Sequence, residues 1–140
     1  RADKPDLTFE GQAKIVPLRV ASNFACEARD GDPRGYEVIG ADKKSAGTIT
    51  DVWVDRSETI IRYLEANIAG GRSVIIPVTF ARIDKRRKQV RVHALLSRQF
   101  ANVPALANQD QITLLEEDKV CAYFGAGTLY ATPARTESWL

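Results

Sequence analysis

The stretch GTITDVWVDRSETIIRYLE, residues 47–65, holds two alternating runs joined by a short polar turn. In an extended chain Thr48, Thr50, Val52 and Val54 share one face, and Ile49, Asp51, Trp53 and Asp55 the other. After Arg56, Ser57 and Glu58 a second run begins, with Ile60, Arg62 and Leu64 opposing Ile61, Tyr63 and Glu65. The pattern predicts a β-hairpin whose turn gathers Asp55, Glu58 and Arg62 at one end of a sheet. Acids grouped beside a base perturb one another's protonation, which makes this turn the first candidate site. Spacing alone more often describes a solvated turn, with a surface ion pair worth about 1 kcal/mol or less.

Outward from the hairpin, the chain reads as short strands and turns. Residues 1–12 are polar, with Pro5 and Gly11, and read as a loosely held arm. Residues 13–20 alternate around Pro17, which suits an edge strand. Residues 22–34, with Asp30-Gly31-Asp32-Pro33, are loop-like, and a short strand follows at 36–39. Gly70-Gly71 marks the turn between runs 60–68 and 73–78. Runs 79–83 and 89–95 flank the basic turn Asp84-Lys85-Arg86-Arg87-Lys88. Residues 112–114 read as a further strand. Glu116-Glu117-Asp118 then open a short helix that runs through Tyr123 and ends at Gly125 and Gly127. Closely spaced strands and turns predict a mainly β chain, built as a small antiparallel barrel or sandwich. Trp53, Tyr63 and Leu64 are expected in its core. The division expected is an extended N-terminal arm over 1–34 and a barrel domain with helix and tail over 35–140.

Composition narrows the function classes. The chain has 140 residues, 44% of them hydrophobic, enough for one domain with a modest core. A net charge of +2 is too weak for a dedicated nucleic-acid binder. Cys26 and Cys121 lie 95 positions apart with no CxxC spacing, so free thiols are expected. His93 is the sole histidine and has no second ligand close by, so it is assigned no role and no metal site is expected. No nucleophile–base pair is visible, so no enzymatic activity is expected. Gly125-Ala126-Gly127 lacks the lysine and Ser/Thr of a phosphate loop, and no run of 18 apolar residues occurs.

DVWVDRSE with RYLE behind it, then ITLLEEDKV and GTLYATP, resemble the cytoplasmic domain of the H subunit of the purple-bacterial photosynthetic reaction centre, within the PRC-barrel family. AKIVPLRVA and QFANVP extend the likeness over nearly the whole chain. The resemblance implies an antiparallel PRC-barrel with an extended N-terminal arm and a short C-terminal helix. It implies a non-catalytic domain that caps the membrane-embedded L and M subunits, supports assembly and electron transfer between quinones, and conducts protons to the secondary quinone. Bacteriochlorophyll, bacteriopheophytin, quinones and iron would belong to partner subunits, and none to this domain. The chain contains no methionine, even at position 1. By the same resemblance a single transmembrane helix would precede it, and the domain would lie on the cytoplasmic face of the photosynthetic membrane.

Residue roles follow from the matching positions. Asp55 and Glu58 would stand on the proton route, with Arg62 keeping the cluster ionised and Lys14 as an electrostatic partner. Relatives carry histidines just ahead of this lysine, where proton uptake begins. Here the segment is Thr8-Phe9-Glu10-Gly11-Gln12, so either Glu10 serves as the uptake group or protons enter elsewhere. The basic turn at 85–88 is either a solvated tip or a contact for anionic headgroups. Tyr123, Phe124, Leu129 and Tyr130 form an apolar segment that would enter the core or cover partner subunits, and the N-terminal arm is also expected to expose apolar surface. The alternative is a PRC-barrel adaptor resembling the ribosome maturation factor, which binds a ribosomal or other protein partner.

Overall fold

Alternating hydrophobicity on either side of a polar turn produces the longest hairpin of the molecule. The computed structural model describes residues 1–21 and 31–130, with the side chains of residues 129 and 130 excepted. Among these, seven strands form: β1 (Ile15–Pro17), β2 (Glu37–Ile39), β3 (Ser45–Asp55), β4 (Ile60–Ile68), β5 (Ser73–Pro77), β6 (Arg82–Asp84) and β7 (Gln89–Arg91). They make one sheet in the order β5-β4-β3-β2-β7-β6, with β1 also paired to β3. Residues 112–114, read from sequence as a strand, are not one. Ile112 packs into a core cluster, and Thr113 opens helix α1 (Leu114–Tyr130). The Thr113 hydroxyl accepts the Glu116 N–H at 3.0 Å, and the Glu116 carboxylate accepts the Thr113 N–H at 2.9 Å, a reciprocal cap.

The sheet is mostly antiparallel, with one exception to the expected pattern. β2 and β7 run parallel, Val38 opposite Val90. A parallel pair needs a long connection between its strands, and the intervening residues 40–88 supply it. β1 lies outside the span from which the barrel was expected, and pairs Ile15 with Asp55 at the far end of β3. Residues 6–14 continue from it as a small hairpin closed by the Leu7–Ala13 bridge. The first residues are tied down as well: Leu114 and Leu115 donate to the carbonyls of Lys4 and Ala2.

Two bulges correct the assignment of faces in the central hairpin. β3 and β4 pair from Gly47 opposite Ile68 to Asp55 opposite Ile60, with shifts at Ile49/Asp51 and Trp53/Val54. Thr50 is the extra residue on β3, and Arg62 the extra residue on β4. One inserted residue flips every later side chain to the other face. Ile49 therefore joins Val52 and Val54 in the main core rather than pointing with Trp53. Ile61 likewise packs on the same core as Leu64.

The sheet consequently carries two cores. The larger gathers Val38, Val52, Leu64, Ile76, Phe100 and Phe124, all nearly or fully buried. The smaller holds Trp53 and Tyr63 with Ile15, Ile75, Leu106 and Ile112. Leu64 and Trp53, expected together, lie in separate clusters. Phe124 is fully buried, and the Tyr123 hydroxyl donates to the Gln99 carbonyl at 2.6 Å, so this part of the expected tail is core. α1 passes straight through Gly125 and Gly127, which were expected to end it. At Gly127 a Cβ would meet the Ala94 carbonyl oxygen at 2.5 Å, so this glycine serves close packing against the turn after β7.

Candidate functional site

Asp55, the last residue of β3, is fully buried. Its two carboxylate oxygens have different surroundings. Oδ1 accepts the N–H groups of Ser57 at 2.8 Å and Glu58 at 3.0 Å, which builds the turn into β4. Oδ2 has no hydrogen-bond partner within the protein among the described residues. It faces two cations instead, with Lys14 Nζ at 3.6 Å and Arg62 Nη1 at 3.5 Å. An isolated buried carboxylate costs far more than a paired one, so these cations are what allow the burial.

Local structure explains how both cations arrive. Lys14 precedes β1, whose pairing with β3 sets Ile15 opposite Asp55. Arg62 is the bulged residue of β4, which takes it out of strict alternation and aims it along the sheet end. The ion contacts continue on both sides. Lys14 Nζ lies 3.8 Å from Asp6 Oδ2, and Arg62 Nη2 lies 3.8 Å from Glu117 Oε1. Glu117 is buried on α1 and accepts the Tyr63 hydroxyl at 2.6 Å. Burial first, and then the Glu117 hydrogen bond and charge, push the Tyr63 phenol far above its ordinary value. Burial likewise raises the thiol of Cys121, a free cysteine one turn beyond Glu117. Cys26 lies outside the described residues.

The structure brings together three of the residues singled out from sequence, Asp55, Arg62 and Lys14. It does not bring Glu58 or Glu10 into the cluster. Glu58 is exposed, and only its backbone N–H bonds to Asp55. Glu10 is exposed at the tip of the 6–14 hairpin, beside Phe9, which is completely open to solvent. Glu117 and Tyr63 were missed as site residues. A signal for Glu117 existed: Val120 and Phe124 stand three and seven residues further on and are fully buried, so all three share one helical face.

A second buried charge group sits on the opposite half of the hairpin and was also missed. Asp51 and Glu65 are nearly buried, and Arg19 Nη1 reaches both, at 3.2 and 2.9 Å. Glu65 also accepts the Trp53 indole N–H at 3.0 Å, while Arg19 Nε reaches Asp110 at 3.1 Å. Every buried oxygen here has a partner, so the arrangement holds strands and loop together. The Asp55 group differs, because one buried oxygen retains open lone pairs between two cations. An oxygen so placed can accept a hydrogen bond from a donor brought to it. Among the described residues no group of three potential metal ligands occurs, and no helix is long and apolar enough to cross a membrane.

One family model, that of the PRC-barrel domain, matches residues 27–98, just over half of the chain. The match includes the central hairpin with Asp55, Glu58 and Arg62, whereas Lys14 and Glu117 lie outside it.

Proposed function

The chain belongs to the PRC-barrel family, and from that premise we propose that it is the cytoplasmic domain of a photosynthetic reaction-centre H subunit. In this reading it caps the membrane-embedded L and M subunits, supports their assembly and electron transfer between quinones, and passes protons toward the secondary quinone. It is not an enzyme. Bacteriochlorophyll, bacteriopheophytin, quinones and iron reside in the partner subunits. Its place is the cytoplasmic face of the photosynthetic membrane.

The observation that carries the reading is the buried Asp55 carboxylate, held between Lys14 and Arg62 with one oxygen open. Proton relay needs a carboxylate that stays ionised at rest yet accepts a proton when one arrives. Two adjacent cations offset the cost of burying the Asp55 charge. The motifs DVWVDRSE, ITLLEEDKV and GTLYATP support the particular subunit. Exposed Leu7, Phe9 and Ile60 supply apolar surface suited to a protein partner. That surface would equally serve a PRC-barrel adaptor that binds a ribosomal protein, the second reading.

Flash-induced quinone turnover in complexes reassembled with L and M tests the proposal. Asp55→Asn should slow the second, proton-coupled electron transfer by about tenfold or more, within the range general acid–base groups contribute. The first charge separation should be unchanged. Glu58→Gln should act in the same direction if partner subunits enclose that surface acid. A small diffusible acid should restore part of the rate. Normal second-turnover kinetics in the Asp55→Asn, Glu58→Gln double variant would remove the proton-relay role. Failure to assemble with L and M at all would favour the adaptor.

A further inference from the structure

The β6–β7 hairpin carries Arg82, Lys85, Arg86, Arg87, Lys88 and Arg91 against the single carboxylate Asp84. That segment sums to +5 in a chain whose total is +2, so all other residues together sum to −3. The charge is segregated. It is also costly to the fold. Arg82 stands directly opposite Arg91 in the ladder, and like charges in that position repel. Lys43 and Lys88 both hold positive φ, at 64° and 54°, where glycine or asparagine would fit with less strain.

Three of these cations, Lys43, Arg87 and Arg91, line a groove beside the parallel β2–β7 pair. A cavity of about 480 Å³ is lined there by Lys43, Arg87, Gln89, Arg91 and His93, together with Ile39, Gly40 and Ala41. Asp84 is shared by the two guanidiniums, with Arg87 Nη1 at 3.1 Å and Arg91 Nη2 at 3.6 Å. One carboxylate cannot neutralise two arginines and Lys43. Both arginines remain partly open to solvent, with N–H donors to spare.

We propose that this groove is a binding site for a phosphate-bearing ligand. A phosphate group offers up to two negative charges and three acceptor oxygens, which matches two guanidinium forks and one ammonium. Arginine recognises such groups with paired N–H donors, and Gln89 adds a neutral donor at the wall. The phosphate is that of an anionic lipid headgroup or of a soluble oligophosphate, and the site shares no residue with the Asp55 cluster.

Calorimetric titration of the whole chain with inorganic pyrophosphate, and sedimentation with vesicles containing about 30 mol% phosphatidic acid, test the assignment. Pyrophosphate should bind the wild type, and more weakly as salt rises. Arg87→Gln with Arg91→Gln should weaken it by about tenfold or more, the loss expected for a charge-assisted hydrogen bond. Lys43→Asn should weaken it as well, while leaving Asp84 paired and suiting the left-handed backbone, so that misfolding does not explain the result. A control with the same charge loss at the α1 end, Lys4→Gln with Lys119→Gln, should leave affinity within about twofold. Vesicle binding that pyrophosphate displaces identifies the headgroup as the source. Pyrophosphate binding without vesicle binding identifies a soluble phosphate. No pyrophosphate binding by the wild type, or equal loss in the control, would overturn the site.

Discussion

Asp55 divides its carboxylate between two tasks, Oδ1 building the turn and Oδ2 facing Lys14 and Arg62. The division separates what its variants should do. Asp55→Asn keeps an oxygen for the turn but sets an amide NH2 in place of Oδ2, so the charge and the acceptor facing the two cations are lost. Asp55→Ala loses the turn acceptor as well and leaves two cations facing each other. Because those cations are 23% and 37% exposed, water compensates part of the loss. Asp55→Ala should therefore destabilise by about 2–4 kcal/mol, somewhat under the full cost of breaking a buried pair, and Asp55→Asn by clearly less. Urea unfolding of the two variants checks the order. Tyr63 makes a pH prediction. Its folded pKa is raised above the ordinary 10.0, chiefly by burial and then by Glu117. A raised value favours the protonated phenol in the fold, so stability is fully present below pH 10.0 and declines as pH rises above it. Tyr63→Phe should lose less stability between pH 9 and about 11 than the wild type, read from urea midpoints. Asp55 and Arg62 were legible in the sequence because both lie in one hairpin, whereas Lys14 was a candidate only through the family resemblance of its motif. Glu117 was passed over despite its spacing to Val120 and Phe124, since its acid neighbours gave it a sufficient explanation as a helix-start charge.

Strands and turns of the central hairpin could be read from period-two alternation, and the next turn from its adjacent Gly70 and Gly71, which hold positive φ values of 92° and 82°. The bulges could not. Thr50 and Arg62 are ordinary strand residues, and only the pairing partner reveals that one of them is supernumerary. The parallel β2–β7 ladder was hidden for a related reason, since its two strands are some fifty positions apart and nothing local marks their direction. α1 was shortened in the reading because glycine has two uses, ending a helix or allowing close approach, and the sequence does not distinguish them. The two glycines of that helix should now respond in opposite directions. Gly125 has open space where its Cβ would sit, so Gly125→Ala should stabilise by about 0.5–1 kcal/mol. Gly127→Ala would drive a methyl against the Ala94 carbonyl and Leu95, and should cost about 1–3 kcal/mol. Thermal unfolding of the pair decides it. Equal shifts would mean that α1 does not pack as described.

Across the whole molecule the sheet is covered on both faces, with α1 and Phe124 on the larger core and Leu106 and Ile112 on the smaller. Arg19 ties the second covering together, since it joins Asp51 on β3, Glu65 on β4 and Asp110 in the loop that carries this cover. Arg19→Leu would strand two nearly buried carboxylates. With the arginine side chain 38% exposed, the expected cost is about 2–3 kcal/mol, less than for a fully enclosed pair. Hydrogen exchange should show the loop around residue 110 opening before the central hairpin does. If protection falls uniformly, Arg19 supports the fold generally rather than this cover. The Asp55 end has a further property of this kind. Its string of ions takes Asp6 and Lys14 from the start of the chain, Asp55 and Arg62 from the middle, and Glu117 from near the end. A ribosome releases these segments in order, and the closure between them spans more than a hundred positions. The cluster therefore cannot form until the segment carrying Glu117 has left the ribosome, long after Asp6 and Lys14 have done so.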